Sequence, residues 1–358
     1  MKKTLVAMAV MAVAGAASAQ ATLYGVLDAG IQMTTTTLAG VDLVGNNIGL
    51  QQNASFMNGN RWGLKGTEDL GGGMSALYQV ESGFAIDTGK SSQGSRLFGR
   101  QAYVGLSGGF GTVTLGRQYT GLDTLWGTYD AGEYGGNSAM SFAWNGGVVG
   151  DIGRVDSMIQ YSTPAMSGFS ALVQYAPGED KEVGAAARDA STYTGLLVGY
   201  SAGPLSAHLA YESASIKKAG TFDTVNAAGA ASLAPGVNTL ASTALGISYD
   251  LGMAKLMGGV NMATADAGVK ETGYMLGGIV PFGAATLNLT YAAETRSADA
   301  KVDGKGTGFA GHVRYSLSKR TSVYAGFLSG KSTQAVTAGA AQDEASVTTY
   351  MAGVKHTF

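Results

Sequence analysis

Charged residues that could act together lie in and around the segment 119–153. Asp130 and Glu133 stand within it, and Arg117 and Arg154 flank it. Carboxylates and guanidinium groups that face one another across water create a local field, which aligns polar solutes and favours ions of one sign. We expect the segment to form a long irregular loop, and a loop of this length is usually functional. The pattern favours a barrel wrapped around the segment, with the segment narrowing the opening.

The histidines could supply acid–base chemistry, but they stand alone. His208, His312 and His356 are the three in the chain, and no Gly-x-Ser-x-Gly or His-Glu-x-x-His motif accompanies them. The stretch 325–332 is similar to a phosphate-binding loop, but the Gly-broken residues after it lack the required helix pattern. The chain has no cysteine, which excludes thiolate chemistry and disulfides. We therefore expect neither an enzyme, nor a bound cofactor, nor a metal site.

The N-terminus has the pattern of a secretory signal peptide. Two lysines, an apolar run from Thr4 to Ala16 and a small-residue stretch ending at Ala19 predict a signal over residues 1–19. A membrane-anchoring helix is the alternative, but the run falls short of the ~20 residues needed to cross a bilayer. Residues 20–358 would form the exported domain. Two of the 23 basic residues leave with the signal, so 21 face 25 acidic ones, a balance that does not suit a nucleic-acid partner.

Alternation of apolar and polar residues recurs along the exported domain. It is clear where Phe309, Val313 and Tyr315 interleave with His312 and Arg314. A period of two gives a strand one apolar and one polar face. Seven short turns and eight longer polar connections predict about sixteen antiparallel strands, with both chain ends on the short-turn side. The short turns lie at 69–73, 108–111, 163–168, 202–204, 250–253, 281–283 and 318–321, and the long connections near 34–58, 84–97, 119–153, 177–190, 213–238, 264–270, 295–305 and 330–345.

The low fraction of charged residues indicates whether such a barrel lies in water or in a membrane. Only 13% of the residues are charged, against about 25% in ordinary soluble domains. A soluble sandwich would turn its apolar face inward and keep a charged exterior. Apolar bands facing lipid and polar residues facing a wet lumen explain the composition better. We therefore predict an all-β fold, a 16-stranded antiparallel transmembrane β-barrel with an inward-folded third loop.

Five motifs and the chain end carry a family resemblance. The motifs are Leu23-Tyr24-Gly25-Val26-Leu27-Asp28, Arg61-Trp62-Gly63-Leu64-Lys65-Gly66, Tyr78-Gln79-Val80-Glu81-Ser82-Gly83-Phe84, Arg100-Gln101-Ala102-Tyr103-Val104-Gly105-Leu106 and Gly111-Thr112-Val113-Thr114-Leu115-Gly116-Arg117-Gln118. The last strand alternates from Tyr350 to a terminal Phe358, which resembles the signal by which outer-membrane barrels are recognised for assembly. Over nearly all of the exported domain the chain resembles the general trimeric porins of Gram-negative bacteria, in particular the beta-proteobacterial and neisserial type.

The resemblance implies a third loop, 119–153, that folds into the barrel opposite a basic wall. The loop acids would be Asp130 and Glu133, the latter in a Gly-Glu-Tyr-Gly-Gly stretch where the family has Pro-Glu-Phe-Gly-Gly. Alternatively, some wall arginines only brace the loop through carboxylate pairs. The basic wall residues implied by motif or by their polar strand face are Arg61, Lys65, Arg100, Arg117 and Arg154.

The resemblance also implies a function. We expect an outer-membrane channel for passive diffusion of small hydrophilic solutes and ions, assembled as a homotrimer in outer-membrane lipid by the barrel-assembly machinery. The excess of basic candidates over loop acids predicts a modest anion preference, because local charge dominates at a Debye length of ~8 Å. The alternative is a substrate-specific channel with a saturable site built from aromatic residues such as Tyr119, Trp126 and Tyr129. An adhesin or receptor role would normally need a passenger or plug domain, for which we find no spare segment.

Overall fold

The structure, a computed structural model, describes residues 21–38, 41–50, 57–133, 138–142, 151–179, 181–183, 189–217, 223–225, 239–266, 268–297, 304–335 and 342–358. The signal peptide predicted over residues 1–19 lies outside these ranges. The described strands are β1 Thr22–Leu38, β2 Val41–Leu50, β3 Arg61–Gly71, β4 Met74–Gly83, β5 Gln101–Gly108, β6 Gly111–Tyr119, β7 Asp151–Ser162, β8 Phe169–Ala176, β9 Thr192–Ala202, β10 Leu205–Ser215, β11 Asp223–Val225, β12 Thr239–Asp250, β13 Lys255–Ala265, β14 Val269–Phe282, β15 Ala285–Ser297, β16 Gly304–Ser316, β17 Thr321–Ala335 and β18 Gln342–Thr357.

The strands form a wall that closes on itself. β1 pairs antiparallel with β18 in a register that places Val26 opposite Thr357. On its other side β1 pairs antiparallel with β3, and Val26 lies opposite Arg61. The chain end completes the closure, because Phe358 and Gly25 exchange two backbone hydrogen bonds with N···O distances of 3.1 and 3.2 Å. A closed antiparallel sheet leaves no unpaired edge, as a barrel in a membrane requires.

Two of the strands are accessory to this wall. β2 pairs with the distal part of β1, from Ile31 opposite Leu50 to Leu38 opposite Val41, beyond the point where β3 accompanies β1. β11 is a three-residue strand that pairs with β7. Removing these two from the 18 strands that the described residues form leaves sixteen in the closed wall. The predicted sixteen-stranded antiparallel barrel is therefore confirmed.

The connections between strands match the predicted ones at the short-turn end of the barrel, and several differ from the predicted ones at the other end. All seven predicted short turns join consecutive strands of the wall. The connections expected at 34–58 and 330–345 are shorter, because β1, β2, β17 and β18 extend into them. At 264–270 a tight hairpin replaces the expected loop, since Ala265 pairs with Val269. Threonine and valine in these stretches favour strand structure, so pairing continues past the apolar band.

Exposed apolar side chains cover one face of the wall. On β14, for example, Tyr274 and Leu276 are exposed whereas Glu271 and Met275 are buried. Aromatic residues flank this apolar face at both ends, which is the pattern of a lipid-facing surface. Among the described side chains, the exposed aromatic residues are Phe110, Tyr161, Phe169, Tyr249, Phe282, Tyr315 and Phe358 at the short-turn end and Tyr175, Tyr211, Tyr274, Tyr291, Phe309 and Tyr350 towards the other end. We call this face outward and the opposite face of each strand inner.

The segment between β6 and β7 contains helical structure. Helix α1 spans Gly121–Tyr129, and a 3-10 helix spans Ala139–Phe142. The prediction of an irregular loop is therefore wrong for this part, because the apolar residues that fix α1 have the i, i+3, i+4, i+7 spacing of one helical face: Leu122, Leu125, Trp126 and Tyr129. Across the described residues, no helix is long and apolar enough to cross a membrane.

Candidate functional site

The start of α1 is tied to the wall by one glutamine. Thr120 caps the helix, because its hydroxyl accepts a hydrogen bond of 3.0 Å from the Asp123 backbone N–H. Gln174 on β8 accepts from the Gly121 backbone N–H at 2.8 Å and donates to the Tyr119 carbonyl at 2.8 Å. A single buried side-chain amide therefore holds the backbone on both sides of the cap.

The apolar face of α1 packs against inner-face residues of several strands. Its buried side chains belong to one apolar cluster with wall residues that are mostly small, namely Leu197, Ala210, Ala244, Met275, Ala292, Ala310 and Leu328. The Tyr129 hydroxyl lies 2.8 Å from Ser206 Oγ and 2.5 Å from His208 Nδ1 on β10. Burial raises the pKa of the Tyr129 phenol, so the group stays protonated and can donate to Nδ1. The helix is thus held at both ends by polar contacts and along its length by apolar packing.

A tight turn after α1 presents the two acidic residues of the segment. Asp130 is buried, and its Oδ1 accepts a hydrogen bond of 2.7 Å from the Gly132 backbone N–H. Asn288 on β15 donates to the Ala131 carbonyl at 2.8 Å. Glu133 has a left-handed backbone with φ of 61°, a conformation that non-glycine residues adopt rarely. The Asp130 carboxylate therefore stabilises the turn, whereas the Glu133 side chain points away from the turn.

Glu133 is paired with two basic residues that the sequence analysis did not identify. Its Oε1 lies 2.8 Å from Arg314 Nη1 on β16, and its Oε2 lies 3.0 Å from Lys355 Nζ on β18. Asn58 Nδ2 also donates to the Glu133 carbonyl at 3.3 Å. Because Arg314 and Lys355 alternate with exposed outward residues, both belong to the inner face.

The predicted wall arginines form a second basic cluster around Glu81. Arg100 Nε lies 2.6 Å from Glu81 Oε1, and Arg61 Nε lies 3.8 Å from Glu81 Oε2. Arg100 and Arg154 both donate to the Tyr119 hydroxyl, Arg154 at 2.7 Å. The guanidinium carbons of Arg100 and Arg154 lie 5.7 and 4.3 Å from the centre of the Tyr119 ring. The structure thus brings Arg61, Arg100 and Arg154 together; their role as a constriction wall remains a prediction.

The other two basic candidates have different surroundings. Arg117 is buried, donates to the Gly99 carbonyl at 2.8 Å and lies 2.5 Å from Asp156 Oδ1. Arg96 also pairs with Asp156, at 2.9 Å. Lys65 is exposed, and its Nζ lies 5.1 Å from the centre of the Tyr24 ring. The Tyr24 hydroxyl donates a hydrogen bond of 2.9 Å to Glu81 Oε2, so Lys65 borders the Arg61 cluster through Tyr24 without pairing with its carboxylate.

Three of the charge clusters share a pattern, whereas the buried Arg296 has the reverse one, with two carboxylates, Glu271 and Glu294, beside a single base. Each of three carboxylates, Glu81, Glu133 and Asp156, is paired with two basic side chains. These contacts join six cations to three anions, so the paired groups carry a net charge of +3. Within the parts of the chain that the structure describes, no group of three or more His, Cys, Asp and Glu residues is placed to hold a metal ion.

Comparison with known proteins identifies the family. The family model described as Gram-negative porin matches residues 4–335. The chain belongs to the Gram-negative porin family. Outer membrane porin protein 32 of Delftia acidovorans is 33% identical over the full length of both chains, and an outer membrane porin of Bordetella pertussis is 32% identical over 91% of this chain and 93% of its own. Among solved structures, the anion-selective porin from Comamonas acidovorans is 30% identical, with a TM-score of 0.75 over 95% of this chain and 100% of its own.

Family membership establishes the general activity. Like its relatives, this porin is an outer-membrane protein and a passive channel, and the porins of its family are channels rather than enzymes. Its chain end lies where the barrel closes: Tyr350 and Phe358 are both exposed on the outward side of β18 and just after it. Their role as an assembly signal remains a prediction.

Proposed function

We propose that segment 119–153 narrows the channel of this porin and that the basic groups beside it favour anions. Support for the first part comes from α1, which packs against β9, β10, β12 and β13, and from the 3-10 helix Ala139–Phe142, which packs against β15, β16 and β17. A segment can reach so many strands of a closed wall only from within. The turn at Glu133 continues this path to Arg314 and Lys355 on β16 and β18.

The double pairing of each carboxylate supports the anion preference. A pair of one acid and one base is neutral, whereas each of Glu81, Glu133 and Asp156 leaves one positive charge uncompensated. The whole chain has a formal net charge of −2, but charges beyond a Debye length of ~8 Å are largely screened. Permeating ions therefore experience mainly the local excess. The resemblance to a solved anion-selective porin agrees with this proposal.

A substitution that neutralises one basic side chain tests the proposed anion preference. Arg314→Gln removes one positive charge, while Lys355 remains 3.0 Å from Glu133 and keeps that carboxylate paired. We expect a lower ratio of chloride to potassium permeability in planar bilayers. Lys319→Gln, at an exposed short turn, is the matched control and should leave the ratio unchanged. Equal ratios for Arg314→Gln and the unmodified protein would refute the role of this cluster.

A substrate-specific channel would need aromatic residues that can contact a solute, and two of the three candidates cannot do so. Trp126 and Tyr129 are completely buried in the contact between α1 and the wall, so neither side chain can stack on a solute. Tyr119 is covered by Arg100 and Arg154. Diffusion of unrelated small solutes is therefore the better proposal. Liposome swelling should show rates that fall smoothly with solute size and do not saturate.

We also propose that the porin works as a homotrimer inserted by the barrel-assembly machinery. The proposal rests on the family resemblance and on the terminal strand, whose Tyr350 and Phe358 are exposed. Light scattering of the detergent-solubilised protein should give a mass of three protomers after correction for detergent. A mass of one protomer would contradict the trimer.

A further inference from the structure

Two buried glutamates on the inner face share a single basic partner. Glu271 on β14 and Glu294 on β15 are 1% and 3% exposed, and Arg296 is the base beside them. Glu294 Oε1 accepts hydrogen bonds from the Arg296 guanidinium, with Nε at 3.1 Å. Arg296 Nε lies 3.9 Å from Glu271 Oε2, which is too long for a hydrogen bond. Two carboxylates and one guanidinium leave this group with a net charge of −1.

The two carboxyl groups present oxygen atoms that no donor satisfies. Among the described residues, both carboxyl oxygens of Glu271 and Oε2 of Glu294 are buried and have no hydrogen-bond partner. The two carboxyl groups lie within hydrogen-bonding reach of each other. Ionised carboxylates only accept hydrogen bonds, so the two groups cannot satisfy each other. Because a buried carboxylate without a donor is costly, the arrangement favours a positively charged ligand.

A side chain on β13 contributes a further oxygen of the same kind. Asn261 is 3% exposed, and its Oδ1 has no hydrogen-bond partner among the residues that the structure describes. Asn261 lies opposite Gly273 on β14, and Gly273 lies opposite Glu294 on β15. Since glycine has no side chain, the inner face is open between Asn261 and Glu294. Both are also diagonal neighbours of Glu271, at a spacing of about 7–8 Å, so the three side chains surround one position.

The number and type of these oxygen atoms distinguish a metal ion from a proton. One proton joins two oxygen atoms, which would leave the other two of the four without a partner. Ca²⁺ binds about 6–8 oxygen ligands at about 2.3–2.6 Å in flexible geometry, so one ion can join side chains from neighbouring strands. Carboxylate and amide oxygens suit such hard cations better than transition metals. Mg²⁺ demands a near-ideal octahedron and keeps several waters, so a set rich in protein oxygens favours calcium.

We propose that Asn261, Glu271 and Glu294 bind a calcium ion on the inner face of the wall. Glu271 is two residues from Val269, where β14 begins at the end of the wall away from the short turns, so the ion enters from that end. The bound ion joins β13, β14 and β15 and offsets the buried negative charge, while Arg296 stays bonded to Glu294 Oε1. Sequence spacing does not indicate this site, because its members come from three strands.

Calcium titration of the purified full-length porin, treated with EDTA and kept in detergent, tests the site. Isothermal titration calorimetry should show one ion bound per chain. Glu271→Gln keeps the size of the side chain but removes its charge, so the affinity should fall at least tenfold, since even partners outside the coordination shell contribute about 10–100-fold. Glu344→Gln removes an exposed carboxylate of β18 and is the matched control, which should bind like the unmodified protein. Absence of calcium binding, or equal affinity of Glu271→Gln and Glu344→Gln, would overturn the proposal.

Thermal unfolding separates metal binding from an ordinary ion pair. In EDTA, Glu271→Gln should unfold at the same temperature as the unmodified protein or higher, because it removes a poorly compensated buried charge. Added calcium should raise the unfolding temperature of the unmodified protein and leave that of the variant in place, because only a protein that binds the ion gains stability from it. An equal rise in both proteins would refute the site, and an equal rise with magnesium would contradict the assignment to calcium.

A second variant tests the site if Glu271→Gln does not fold. Asn261→Ala leaves both carboxylates and Arg296 unchanged but removes the amide oxygen on β13. Its calcium affinity should be about tenfold lower than that of the unmodified porin. Unchanged affinity would show that Asn261 is not a ligand and would overturn the three-residue site.

Discussion

Gly246 on β12 offers a direct test of how α1 is seated on the wall. A Cβ added at this glycine would lie 2.2 Å from Cδ2 and 2.7 Å from Cγ of Tyr129. Ordinary contact begins at about 3.4 Å, so Gly246→Ala requires a displacement of roughly 1.2 Å. The Tyr129 hydroxyl is held by Ser206 and His208, which restricts movement of the ring alone. The helix must therefore lift from β12.

We expect two consequences of Gly246→Ala. Overpacking of this kind costs about 1–3 kcal/mol, so the barrel should unfold at a lower temperature in detergent. If the segment narrows the channel, a helix moved off the wall also lowers the single-channel conductance and increases current noise. Gly278→Ala is the matched control, because its added Cβ would meet the nearest atom at an ordinary 3.7 Å.

A second substitution checks the cause. Tyr129→Ala removes the ring that the new Cβ would strike, so adding Gly246→Ala to Tyr129→Ala should have little further effect. Identical conductance and unfolding temperature for Gly246→Ala and Gly278→Ala would refute the packing of Tyr129 against β12.

Three other substitutions have defined outcomes. Glu133→Gln removes the acid between Arg314 and Lys355, so the reversal potential in a KCl gradient should move further towards chloride; a shift towards potassium would contradict the proposed charge balance. Gln174→Leu removes the hydrogen bonds that hold the start of α1, and bilayer recordings should show more frequent closures than those of the unmodified protein. Deletion of Phe358 removes two backbone hydrogen bonds to β1 and the proposed assembly signal, so the amount of heat-modifiable barrel in outer membranes should fall several-fold; normal amounts would refute the signal.

Local sequence signals were sufficient to predict the strands and short turns of the barrel wall. Alternation with a period of two and glycine-rich or proline-rich turns act over a few residues, and they predicted the sixteen strands and all seven short turns. The helix in segment 119–153 could have been found in the same way, since Leu122, Leu125 and Trp126 already show helical spacing. The extended hairpins at the other end were missed because threonine-rich stretches are polar yet favour strands.

The partners of Glu133 could not be read from local pattern. Arg314 and Lys355 are 181 and 222 residues away in the chain, and they reach Glu133 only after the barrel closes. Which inner-face cation meets the turn depends on the register of β16 and β18 and on the left-handed backbone at Glu133. Arg61 and Arg100 were easier to identify, because family motifs contain them and they lie at the start of β3 and just before β5, the two strands beside the strand of Glu81.

The reversal potential of the unmodified porin across a KCl gradient tests the central claim most directly. The purified protein would be inserted into planar bilayers, and single channels would be recorded at low and physiological salt. We predict stepwise, linear currents and a reversal potential that favours chloride, more strongly at low salt because screening is weaker. A potential that favours potassium would contradict a channel governed by the basic excess around Glu81, Glu133 and Asp156.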